Sequence, residues 1–137
     1  MKHFLFIFLL TCPLWIFSSC EDKLPGSKPK IFFGKWENTS DIVTGFMGPQ
    51  YKIGYCVETY EFNAKGGSIT ELEYMTDEGK YREPWIRKLA DWSYDGENIY
   101  LKDTDDFSWT QSVYSISPDS LLLGSGPAYV IYLRIKE

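Results

Sequence analysis

Few residues of this 137-residue chain could do acid–base, nucleophilic or metal chemistry, and their spacing argues against it. The only histidine, His3, lies in an apolar leader. Beyond it, Ser-His-Asp and Cys-His activation and His-ligated zinc or copper are therefore excluded. Two of the three cysteines, Cys12 and Cys20, fall in the first twenty residues. The third, Cys56, sits between Tyr55 and Val57 in a strand-like run, with nothing cationic beside it to lower its pKa, and reads as an inert strand residue. Asp103, Asp105 and Asp106 crowd one turn, which suits hard cations in principle. The following Gly and the distant Glu of a recognised calcium loop are missing, so the triplet reads as a solvated turn. Glu58, Glu61, Glu71 and Glu73 lie on two runs expected to pair, and facing carboxylates are what glycoside hydrolysis needs. Alternation of Glu71 and Glu73 with Leu72 and Tyr74 assigns that pair to the solvent face. These residues point to a non-enzymatic protein with no catalytic residues, no metal site and no cofactor.

What remains is aromatic. After residue 19 the chain keeps four Trp, ten Tyr and five Phe. Most of these rings are expected in a core. Phe46, Tyr81 and Trp85, near loops, are the candidates for rimming a pocket or for offering stacking platforms to sugars or flat apolar molecules.

The elements that must hold them are short. Runs rich in Tyr, Trp, Phe, Ile and Val cover Phe32–Glu37, Lys52–Asn63, Ser68–Met75, Tyr81–Tyr94, Asn98–Lys102, Phe107–Ser117, Ser120–Gly124 and Ala128–Lys136. Between them lie turn signals such as Ala64-Lys65-Gly66-Gly67, Asp95-Gly96 and Ser117-Pro118-Asp119. In the last run Tyr129, Ile131, Leu133 and Ile135 share one face while Tyr132, Arg134 and Lys136 share the other. No stretch keeps a helical period beyond two turns, although Thr39–Gln50 has room for a short helix or a lid. About eight antiparallel strands joined mostly by tight turns predict an all-β domain over 32–137, an up-and-down barrel or strongly curved sheet. A β-sandwich is the alternative, disfavoured because Greek-key order needs longer crossings.

Ahead of this domain stands a leader. Lys2 is followed by the apolar run Phe4–Leu10 and then by Leu14-Trp15-Ile16-Phe17, the layout of a signal peptide too short and interrupted to span a bilayer. Its end, Phe17-Ser18-Ser19-Cys20, resembles the lipobox of bacterial lipoproteins. That resemblance implies cleavage after residue 19, a lipid on Cys20, and a domain tied to the membrane by that lipid. Glu21 and Asp22 resemble the surface-export signal of Bacteroidota lipoproteins, which implies the outer membrane or cell surface, with the periplasmic face as the other option. Residues 20–31, with Pro25, Gly26 and Pro29, read as a flexible tether, and its ten polar residues 21–30 reach about 33 Å. Removing residues 1–19 takes Lys2 and no acid, lowering the net charge from −5 to −6. So acidic a chain is a poor match for nucleic acid or anionic headgroups.

The strands themselves resemble the bacterial lipocalin-like domains of the calycin group. Gly34-Lys35-Trp36 is similar to their G-x-W first strand, Tyr60–Gly67 to their strand with an N-x-x-G turn, and Trp92–Gly96 and Ser117–Leu123 to later hairpins. The resemblance implies that Arg134 on the last strand lies over Trp36 and closes the barrel bottom. It also implies a barrel that binds or shields a small apolar or amphipathic ligand. The rival expectations are a filled barrel serving as a protein-interaction or inhibitor module at the envelope, and an accessory carbohydrate-binding lipoprotein.

Overall fold

A computed structural model describes residues 23–45, 48–125 and 127–137. Cys20 and Phe46, two of the residues singled out above, lie outside the described residues. The strands are β1 (Gly34–Val43), β2 (Lys52–Asn63), β3 (Gly66–Met75), β4 (Lys80–Tyr81), β5 (Trp85–Tyr94), β6 (Asn98–Asp103), β7 (Ser108–Ile116), β8 (Ser120–Ser125) and β9 (Ala128–Arg134). Each pairs antiparallel with its neighbour, and β9 returns to pair with β1, so that eight strands close on themselves while β4 caps the free end of β3. The fold is a closed up-and-down barrel. Closure removes the sheet edges that a sandwich would leave, which disposes of the alternative.

Two of the expected runs divide or lengthen for local reasons. Tyr81–Tyr94 splits into β4 and β5 because Pro84 has no N–H to give a ladder. The run expected to end at Glu37 continues to Val43, paired with β2 in register as far as Ile42 and with a shift before Val43, so only Thr44–Tyr51 remains as a connection. That connection is closed by the Thr44 amide donating to the Tyr51 carbonyl at 2.9 Å.

The turns fall into two sets. The β2–β3, β5–β6 and β7–β8 turns and the C-terminus lie at one end, the base; the β1–β2, β3–β4, β6–β7 and β8–β9 connections lie at the other, the mouth. The core fills the base half. Trp36, Phe32, Trp92, Phe62, Ile99, Leu101 and Leu121 are fully buried there, and Phe32 makes ring contacts with Phe62, Trp92 and Tyr94 at 4.9–6.0 Å. A bulge between Leu89 and Asp91 keeps both Leu89 and Trp92 pointing inward.

The stretch expected to be a free tether is in large part fixed to this base. Ser27 and Tyr94 exchange both backbone hydrogen bonds (3.0 and 2.8 Å), the Ser93 hydroxyl donates to the Pro25 carbonyl at 2.6 Å, and Lys28 pairs with Asp91. Lys30–Phe32 form one 3₁₀ turn that drives Phe32 into the core. Polarity misled here: Gly26 is needed for contact, since a Cβ at that position would sit 2.1 Å from the Tyr94 carbonyl oxygen.

Gly34, Trp36 and Arg134 meet at the base. The Arg134 guanidinium lies 4.1 Å from the Trp36 ring centroid and donates to the carbonyls of Ile31, Phe33 and Pro118, while the indole N–H of Trp36 donates to the Phe32 carbonyl at 2.8 Å. Gly34 has φ 116°, and a Cβ there would come 2.9 Å from the Arg134 guanidinium. One side chain thus ties the N-terminal segment, β1 and the β7–β8 turn together.

Candidate functional site

The mouth half of the barrel is built differently. Paired residues of antiparallel strands share a face, so the inward positions can be counted outward from the core. On β2, Phe62 and Tyr60 point inward, and the same face continues with Glu58 and Cys56. Across the ladder stand Ile69, then Glu71 opposite Glu58, then Glu73 opposite Cys56. On β5 the inward residues past Leu89 are Arg87 and Trp85, opposite Ile69 and Glu71. Glu71 and Glu73 therefore face the barrel interior rather than solvent, which corrects the assignment made from alternation. The reason is visible on the other side: Tyr55 and Tyr74 stack at 5.2 Å on the outer wall and take Tyr81 onto their edge at 5.0 Å from Tyr74, so the aromatic residues there are the outside ones.

The last strand shows the same inversion. Tyr129, Ile131 and Leu133 are exposed, whereas Tyr132 is buried. Tyr132 makes an edge contact with Tyr60 (5.1 Å) and donates its hydroxyl to Glu58, and the Gln111 amide donates to the Tyr60 hydroxyl at 3.2 Å. Burial pushes the Tyr60 phenol up to about 12 and raises Tyr132 as well, helped in the latter by the Glu58 carboxylate. Both rings stay protonated donors at physiological pH and floor the mouth with hydroxyls.

Opposite them Arg87 lies among three rings, its guanidinium 4.9 Å from Trp85, 5.0 Å from Trp109 and 5.8 Å from Phe107. Asp103, the first of the aspartate triplet, is buried and engaged within its own turn, accepting from the amides of Asp105 (2.9 Å) and Phe107 (3.0 Å) and standing 3.8 Å from Arg87. No group of three or more His, Cys, Asp or Glu placed to hold a metal occurs among the described residues.

Three clefts open from this end. One of about 510 Å³ lies between β1 and β9, lined by Asn38, Ser40, Cys56, Glu58 and Tyr132 among others. It exists because β1 and β9 pair only at Trp36–Arg134 and Glu37–Leu133, after which the Asn38 amide bridges to the Ile131 carbonyl at 2.8 Å and the strands part. A second, of about 380 Å³, adjoins it through Val130 and Tyr132 and reaches Gln111. The third, of about 460 Å³, is lined by Trp85, Arg87 and Asp103 among others.

Of the expected ligand residues, Trp85 is at this mouth with its ring half exposed, while Tyr81 belongs to the outer tyrosine cluster, its hydroxyl 2.9 Å from that of Tyr55. The structure does not bring the two together. Glu58 and Glu71 were weighed only as a hydrolytic carboxylate pair and set aside, and Arg87, Trp109, Gln111 and Tyr132 were not anticipated. Counting twos from Trp36, Tyr60 and Ile69 would have found the first two, but Arg87 and Gln111 needed the inter-strand register.

The comparisons add little to this geometry. No family model and no curated protein matches the chain. A solved structure similar to it is a lipocalin-like protein from Bacteroides uniformis, 18% identical, with 77% of this chain and 99% of that chain covered and a TM-score of 0.43.

Electrostatics at the mouth can be tested directly. Glu71 is raised above the ordinary carboxylate range, first by partial burial and then by Glu58 beside it, with Arg87 opposing. The native state therefore holds a proton more tightly than the unfolded chain. Its contribution to stability is fully present below the unfolded pKa and is lost as pH rises through the folded one. Glu71→Gln is expected to stabilise the protein at pH 7 relative to wild type and to remove part of the decline in stability above about pH 4.3, the ordinary Glu value. Urea denaturation at pH 4 and pH 7 checks this; a variant less stable than wild type at pH 7 would show that the ionised carboxylate is held by interactions, not merely tolerated.

The same surroundings act on Cys56. Burial, followed by the carboxylates of Glu71, Glu73 and Glu58, pushes its thiol up, away from the thiolate that a nucleophile needs.

Proposed function

We propose that this chain is a lipid-anchored protein of the cell envelope whose barrel mouth binds one small amphipathic molecule, with a head group that is cationic or rich in hydrogen-bond donors. The observation that carries the reading is the division of the interior. Aromatic and aliphatic side chains fill the base, while in the open half the three carboxylates of Glu58, Glu71 and Glu73 stand with two cations, Arg87 and the Arg82 that pairs with Glu73 at 3.3 Å. An eight-stranded barrel has room for side chains or for one small ligand, and here the upper half keeps the room. Trp85, Trp109, Val130 and the edge of Tyr132 supply apolar wall, and the carboxylates, the Gln111 amide and two phenols supply polar anchors, the mixture that small-molecule sites use. The anchoring half of the proposal rests on Cys20 and the leader before it.

Head-group preference tests the reading. The mature chain from Glu21, without acyl chains, is titrated with dodecylammonium and with dodecanoate while tryptophan fluorescence is followed. Dodecylammonium is expected to bind at least about tenfold more tightly at pH 7, a difference of about 1.4 kcal/mol, and Glu58→Gln with Glu71→Gln is expected to abolish the preference. Equal affinities, or binding of neither, would refute it.

A second reading is favoured by one feature of the outer wall. Tyr114 and Tyr129 stack at 5.0 Å beside exposed Ile131 and Leu133, and an apolar strip of this kind on β9 suits contact with another envelope protein.

A further inference from the structure

We infer that the barrel stands base-down on the lipid surface, with its mouth directed away from the membrane that holds Cys20. The inference rests on the anchoring reading above and extends it. Chain length rules out the opposite, mouth-down arrangement. Among the described residues Pro25 is the first hydrogen-bonded to the barrel, through its carbonyl on the Ser93 hydroxyl; Ser27 then bridges Tyr94 of β5, Lys28 pairs with Asp91, and Phe32 enters the core. Only five residue steps separate Cys20 from Pro25. Fully extended they span at most about 18 Å, roughly half of what a free segment through residue 31 would allow.

That attachment point is at the base, beside the β5–β6 turn. The β2–β3 hairpin runs from Asn63 at the base to Met75 at the mouth, and its ten-residue β3 covers about 33 Å along the strand, which at the usual strand tilt of a barrel is roughly 25 Å along the barrel axis. The mouth therefore lies farther from the anchor than the leash can reach. A barrel lying on its side would keep the base near the lipid too, but its mouth would then be as close to the surface as its base, which separates the two arrangements. Exposed Ile31 and the neighbouring Lys30 lie on the base. The consequence is functional: the ligand would arrive from the aqueous side or from a facing partner, not by sliding out of the leaflet that carries the anchor.

The test uses the full lipidated protein in vesicles of phosphatidylethanolamine and phosphatidylglycerol containing lipids with a spin-labelled head group. In a Cys56→Ala background, a bimane is placed at Lys65→Cys in the β2–β3 turn or at Asp77→Cys in the β3–β4 turn, and Glu97→Cys with Asp105→Cys repeats the comparison on other hairpins. Quenching at the base positions is expected to exceed that at the mouth positions at least about threefold, given the length of the barrel. Insertion of ten Gly-Ser residues between Leu24 and Pro25 is expected to erase the difference. Protein that floats with the vesicles but is quenched equally at both ends, or more at the mouth, overturns the orientation alone. Protein that does not float overturns the anchoring and the orientation with it.

Discussion

Trp36→Ala is expected to destabilise the protein by about 3 to 5 kcal/mol, the range for truncating a buried aromatic residue. The ring has no exposed surface, and its N–H holds the Phe32 carbonyl of the segment that seals the base. Arg134→Ala is expected to cost about 2 to 4 kcal/mol, far above the half kilocalorie usual for a surface change. Its guanidinium donates to three carbonyls from two separate parts of the chain, and its plane covers the indole at 4.1 Å. Because each residue holds the other in place, the double variant should lose less than the sum. Urea denaturation of the four proteins measures the coupling. Strict additivity would mean that the base is held by hydrophobic packing alone and that the cation over the ring adds nothing.

Cys20→Ala is expected to move the protein from the membrane fraction to the soluble one. Each buried methylene contributes about 0.8 kcal/mol, and two acyl chains or more give an anchor that hardly dissociates, so its removal should lower membrane retention by far more than about tenfold. No helix among the described residues is long and apolar enough to cross a membrane in place of that anchor. Detergent phase partitioning of wild type and variant is the measurement, with acyl-chain labelling beside it. Retention of Cys20→Ala at the wild-type level would remove both the anchoring proposal and the orientation built on it.

Much of the barrel was legible because its turns carry strong local chemistry. Asp95 illustrates this: its carboxylate accepts from the amides of Glu97 and Asn98 and from the Tyr100 hydroxyl, contacts that hold its pKa below the ordinary value and fix the β5–β6 turn that Asp95-Gly96 predicts. Gly34-Lys35-Trp36 and Arg134 were legible in another way, since their meeting is what the resemblance of the strands to lipocalin-like domains implies. The mouth was not legible. Alternation tells which residues share a face but not which face is inside, and at this end the usual sign is reversed. The interior there carries Glu58, Glu71 and Glu73, while the outer wall carries Tyr55, Tyr74, Tyr129 and Ile131. Polar composition misled again at residues 25–31, whose prolines and glycine shape a fixed seal and not a loose leash.

The measurement that bears most directly on the central claim is amide chemical-shift mapping of the mature chain during titration with dodecylammonium. Binding in the mouth predicts shifts concentrated at Glu58, Glu71, Arg87, Gln111 and Tyr132, with Trp36, Phe62 and Trp92 at the filled base unmoved. Shifts confined to the outer tyrosines Tyr55, Tyr74 and Tyr81, or to the Tyr114–Tyr129 strip, would contradict a ligand site inside the barrel.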